Sequence, residues 1–209
     1  MKAHTVWTAS LILLLTLGMA WSALKPDDKV RVFTTSIKEE TNGDLKRAIQ
    51  ALLDISNGGN SDYLTTLRLG WLYYNARDFE KSVKYYKEAI RISDNSVEAL
   101  LGITLPYAAQ GKWDLVQDSY KTILGKDKLN YTANLRLGQI YLNLGNYLMA
   151  KKHLDLLSDN YPSDYETNLY LGWTYYNLGD KGKAQQAFIN AMSIYPADTS
   201  AVKGYGLTQ

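Results

Sequence analysis

The sequence predicts an all-α protein: a solenoid of helix–turn–helix units that repeat every 34 residues. One observation is a phrase used twice, LGWLYYN at residues 69–75 and LGWTYYN at residues 171–177. A second is register. Leu67, Leu101, Leu135 and Leu169 share a single 34-residue period, as do Tyr73, Tyr107, Tyr141 and Tyr175, with no insertion or deletion. Self-similarity at such a period marks stacked supersecondary units. The third is spacing inside a unit. Leu69, Trp71, Tyr73 and Tyr74 precede a break at 76–78, and Phe79, Val83, Tyr86, Ala89 and Ile90 then resume at helical intervals.

Composition sets the outer bounds. The chain has 209 residues, 46% apolar and 21% charged, a balance that excludes wholesale disorder. Its net charge of +2 is too small for a protein that grips nucleic acid by neutralising phosphates. Cysteine is absent, which removes disulfide scaffolds, thiolate zinc sites and thiol nucleophiles. Tyrosine is abundant, with 17 copies against 3 of phenylalanine, so aromatic packing here carries hydroxyls that need partners.

Residues 1–23 combine Lys2, an apolar run around Leu11–Leu17 and small residues at Gly18, Ala20, Ser22 and Ala23. That layout predicts a secretory signal peptide, cleaved after Ala20 or Ser22. The alternative is an uncleaved anchor over residues 5–24, uncharged and just long enough to span a bilayer. Either reading places the body outside the cytoplasm. Residues 24–62 are expected to form a degenerate first unit and a linker. Its first helix, around VRVFTTSI, is rich in β-branched residues and is expected to be frayed or extended. The stretch ISNGGNSD at residues 55–62 reads as a flexible loop and the place for a hinge. Four units follow at residues 63–96, 97–130, 131–164 and 165–198. Pro106 is expected to kink or shorten its helix, with Gly102 relieving the clash. Residues 199–209 begin a further helix and are expected to act as a short cap.

The units resemble the tetratricopeptide repeat. The unit from Tyr165 matches that family's pattern best, with Leu171-Gly172, Tyr175, Ala184, Phe188, Ala191 and Pro196. The units from Tyr63 and Tyr131 match through Leu69-Gly70, Tyr73, Tyr86 and Ala89, and through Leu137-Gly138, Tyr141, Ala150 and Pro162. The unit from Val97 is worn: Thr104 stands where glycine is expected and Lys128 where proline is. The resemblance implies a right-handed α-solenoid whose first helices line a concave groove, acting as a non-enzymatic protein-interaction scaffold. Carried onto this chain, the groove positions select Leu64, Trp71, Tyr74, Asn75, Leu105, Gln139, Asn143, Trp173, Tyr176 and Asn177. Trp71 and Trp173 stand where a small polar residue is usual, so they are the candidate hot spots. The expected ligand is an extended segment with its amides met by Asn75, Asn143 and Asn177.

Other chemistry finds little support. The body has one histidine, His153, expected to be solvated on the outer face. No catalytic constellation, phosphate loop or metal motif is present, and no cofactor is implied. The carboxylate clamp of chaperone-binding relatives is missing, because the positions that carry its lysine and asparagine hold leucine, tryptophan or glutamine here. Glycan binding through Trp71 and Trp173 is the alternative function, and self-association through the terminal helix a third.

Overall fold

A computed structural model describes residues 26–56 and 62–209. The leader and the middle of the ISNGGNSD loop lie outside the described residues. Within them the chain forms eleven helices and no strand. Five are first helices of a pair: α1 (Pro26–Thr41), α3 (Tyr63–Asn75), α5 (Val97–Ala109), α7 (Tyr131–Asn143) and α9 (Tyr165–Asn177). Their second helices are α2 (Leu45–Ser56), α4 (Phe79–Ile92), α6 (Trp113–Lys126), α8 (Tyr147–Asn160) and α10 (Lys181–Ile194). The last helix, α11 (Thr199–Thr208), packs on α9 and α10.

Local chemistry starts and stops these helices. Asp62, Ser96, Asn130, Asp164 and Asp198 cap α3, α5, α7, α9 and α11, each accepting a backbone N–H of the first turn. Between paired helices the chain reverses through one left-handed residue on the 34-residue period: Gly43, Arg77, Gly111, Gly145 and Gly179. Arg77, at φ 60°, is the member of this set with a side chain. A non-glycine residue there is strained by roughly 1–3 kcal/mol.

Packing depends on missing side chains. Tyr86 of α4 lies between Gly70 of its own unit and Gly102 of the next; a Cβ on those glycines would sit 2.9 Å and 2.3 Å from the ring. Phe188 of α10 lies likewise between Gly172 and Gly204, where added carbons would meet it at 2.5 Å and 2.3 Å. Leu154 covers Gly138 in the same way. Gly102 therefore makes room for Tyr86. Its neighbour Pro106 does not shorten α5, which keeps the 13-residue length of α3, α7 and α9.

Hydroxyls couple successive units. The tyrosine that opens a unit reaches the cap of the next one: Tyr63 Oη lies 2.6 Å from Ser96 Oγ, and Tyr131 Oη donates to Asp164 Oδ1 at 2.9 Å. Tyr165 makes the same bond to Asp198. Burial, then the adjacent carboxylate, holds the hydroxyls of Tyr131 and Tyr165 above the ordinary tyrosine range.

Two expectations for the first unit change. Its first helix is not frayed: α1 runs sixteen residues, because apolar neighbours outweigh the weak propensity of its β-branched residues. Nor does that unit hang free. Ala48, Ile49, Leu52 and Ile55 of α2 share one core cluster with Leu69, Leu72 and Tyr73 of α3. Lys29 pairs with Asp62 at 2.9 Å, and Arg68 with Glu40 at 2.8 Å.

Two substitutions check this packing. Gly172→Leu forces a side chain into Phe188 and lowers stability by about 1–3 kcal/mol or more; an unchanged thermal midpoint would contradict the crossing described. Arg77→Gly relieves the left-handed strain, less about 0.5–1 kcal/mol of chain entropy. The net effect is a modest rise in the urea midpoint, and a fall would show that the arginine side chain stabilises the turn.

Candidate functional site

The first helices face one another along one wall of the solenoid. Between α1, α3, α5 and α7 lies a cavity of about 690 Å³. Its walls are mostly apolar: Phe33 and Ile37 from α1, Leu64, Leu67 and Trp71 from α3, Leu101 and Leu105 from α5. Tyr86 and Tyr120 reach it from the second helices, Tyr86 through the gap left at Gly102. Arg68, Glu98, Thr104, Thr132 and Arg136 supply its polar lining. A smaller cavity of about 120 Å³ continues along α5 and α7, lined among others by Leu105, Trp113, Gln139 and Ile140.

Four wall residues are exposed although large and apolar: Ile37 at 51%, Leu64 at 52%, Trp71 at 41% and Leu105 at 37%. Single exposed apolar residues are ordinary, but a contiguous set lining a concavity marks an interaction surface. Trp71 is held in place from α1. Its Nε1–H donates to Glu40 Oε1 at 2.8 Å, while Arg68 donates to Glu40 Oε2 at 2.8 Å and to Ser36 Oγ at 3.2 Å.

The ten residues selected from the sequence do not converge on one site. Leu64, Trp71 and Leu105 line the larger cavity, and Leu105 and Gln139 the smaller. Gln139 is engaged on both sides, donating to Tyr170 Oη at 2.8 Å and accepting from Arg136 at 3.1 Å. Tyr74 packs between Trp71 and Phe79. Asn75 donates to Glu40 at 3.4 Å, and Asn177 to the carbonyl of Trp173 at 2.8 Å. Asn143 is exposed. Trp173 differs from Trp71. It is half-buried beside Phe188, with ring centroids 5.2 Å apart, and its Nε1–H donates to Ser200 Oγ of α11 at 2.9 Å. Tyr176 belongs to the same cluster. The helix that begins after Asp198 covers that end of the wall, so the repeated phrase gives one open tryptophan and one packed one.

Phe33 and Ile37 are wall residues that the sequence reading did not reach. The signal was present: counting back one 34-residue period from Leu67 and Trp71 lands on them. Glu40, which orients Trp71, has no such periodic signal.

The class that this arrangement defines is a helical-repeat solenoid with an apolar concavity. Models of the tetratricopeptide repeat match residues 67–96, 131–163 and 165–198. The chain carries tetratricopeptide repeats over these residues. No curated protein matches the sequence. Among solved structures, a tetratricopeptide repeat protein from Parabacteroides merdae is similar with a TM-score of 0.75 and 17% identity, over 87% of this chain and 72% of that one. MamA from Desulfovibrio magneticus, residues 41 to the end, gives 0.70 and 15% over 85% and 99%. YrrB, described as having an unusual peptide-binding site, gives 0.69 and 14% over 85% and 91%. At these identities the likeness is one of fold.

His153 is not solvated as expected. Its ring stacks on Tyr141 at 5.7 Å, and Nδ1 lies 2.9 Å from Asn134 Oδ1. The Asn134 amide already donates to the carbonyls of Lys128 and Asn130, so Oδ1 accepts and His153 carries its proton on Nδ1. Burial, then Lys152, lowers its pKa below 6.5. Among the described residues no cluster of His, Asp or Glu is arranged to hold a metal ion. A histidine with a depressed folded pKa binds fewer protons folded than unfolded, so stability is full above the ordinary value and falls as pH drops below it. Wild-type thermal midpoints should therefore fall between pH 7 and 5 more than those of His153→Gln, and parallel curves would refute the burial.

Proposed function

We propose that this protein is a non-enzymatic scaffold that holds a segment of a partner protein in the cavity between α1, α3, α5 and α7. The observation that carries this is the apolar wall itself. Four first helices contribute to one concavity, and Ile37, Leu64 and Trp71 remain open within it. Burying such a wall against a partner removes apolar surface from water, the main driving force of association. The same fold carries a peptide-binding site in YrrB. The apolar leader at residues 1–23 motivates the further proposal that the scaffold works outside the cytoplasm, in a cell-envelope or exported complex.

The absence of cysteine permits a direct test. Leu105→Cys and Leu148→Cys each carry a photo-crosslinker, the first in the cavity and the second exposed away from it. In the native host a protein partner should be trapped from Leu105 and not from Leu148. Trp71→Ala should then weaken binding of that purified partner about thirtyfold, the effect of losing a hot spot of about 2 kcal/mol, with circular dichroism still helical. Equal trapping at both positions, or undiminished binding, would remove the groove as the site. Trapping of carbohydrate alone would favour the glycan alternative. N-terminal sequencing of the native protein should find a start near Trp21 or Ala23, whereas Met1 retained in membranes would favour an anchor.

A further inference from the structure

We infer that the segment taken by this cavity is an amphipathic helix, with an apolar face and one basic residue that meets Glu98. The inference rests on the groove being the binding site.

The wall dictates the backbone of its occupant. An extended segment carries one N–H and one C=O per residue, and each needs a partner once water is excluded. The cavity has few to give. Trp71 Nε1 donates to Glu40, and Nε and Nη2 of Arg68 donate to Ser36 and Glu40. Thr104 Oγ1 donates to the carbonyl of Leu101 at 2.7 Å. Arg136 donates to Gln139 and Glu166. The asparagines that might have met backbone amides are spent or outside the cavity: Asn75 on Glu40, Asn177 on its own helix. Each buried group left unpaired weakens binding about tenfold, and an extended strand would leave several. A helix closes those bonds within itself and presents only side chains to the wall. The size agrees: a helix about 10 Å across, laid half into the wall, fills a cavity of about 690 Å³ over roughly three turns.

Charge fixes the second feature. Arg68 faces Glu40 at 2.8 Å, and Arg136 faces Glu166 at 3.2 Å. Glu98 also lines the cavity and is exposed, but it accepts only the hydroxyl of Tyr63, at 2.9 Å. Among the described residues no cation pairs with it. The lining therefore keeps one uncompensated negative charge, which a lysine or arginine beside the apolar face of the incoming helix would neutralise.

A display library of random peptides about 16 residues long, enough for four helical turns, is selected on the full chain and counter-selected on Trp71→Ala. Enriched peptides should place apolar residues at i, i+3 or i+4 and i+7, carry a lysine or arginine, lack internal proline and gain helical circular dichroism when bound. The best of them should lose about tenfold on Glu98→Gln and more on Glu98→Lys. A peptide with its basic residue changed to glutamate should recover on Glu98→Lys. Both variants are surface changes, and unaltered thermal midpoints check that they fold. Enrichment of alternating or proline-rich peptides that still depend on Trp71 would overturn the helix while leaving the groove in place. Helical peptides indifferent to Glu98 would overturn the charge pairing. If no enriched peptide depends on Trp71, the groove itself is not the site and the inference falls with it.

Discussion

Close approach of helices at glycine is the constraint on which the rest of the structure depends. Tyr86 occupies space released by Gly70 and Gly102, and Phe188 space released by Gly172 and Gly204. One large ring is thus shared between two units. This is why the array cannot be divided into independent hairpins. At these two crossings a helix pair buries its apolar face by giving a ring to the next helix, as neighbours in stacked repeats depend on one another in general. The caps, the left-handed turns and the tyrosine hydroxyl bonds refine that arrangement; none would hold the units together if the crossings were wider.

The groove inherits its character from the same crossings. Gly102 stands on α5 at the place where Arg68 stands on α3 and Arg136 on α7, one period away on either side. With no side chain there, the Tyr86 ring reaches the cavity and the wall stays apolar between the two arginines. On α9 the corresponding position is Tyr170, and α11 closes over the neighbouring Trp173. The open apolar wall is therefore concentrated in the first half of the array.

The fold was legible because it is periodic. A glycine or leucine recurring every 34 residues declares which helix face meets the next, and four units in register leave little freedom. The site was legible only in part. Leu64, Trp71 and Leu105 were reached because their positions recur. Phe33 and Ile37 were missed because β-branched composition argued against a helix, and composition is a weaker guide than register once neighbours pack. Trp173 and His153 show the other gap. Their repeat positions predict an outward or groove-facing side chain, but α11 covers one, and Asn134 and Tyr141 the other. A single chain reports the face of a helix plainly and the identity of its particular neighbour poorly.

The tyrosine hydroxyls add a property that static packing does not display. Tyr63, Tyr131 and Tyr165 each latch onto the cap of the following unit, but the unit between the first two opens with Val97, which has no hydroxyl. The step from α6 to α7 keeps the apolar contacts of Tyr120 and Ile123 with Ala133 and Leu137, without the directional bond found at the other steps. Apolar contacts resist separation but tolerate sliding, because they have no preferred angle. Elastic compliance is thus distributed unevenly along the superhelix. The step with the fewest directional bonds is the seam where Thr132 and Arg136 face Leu101 and Leu105 across the cavity.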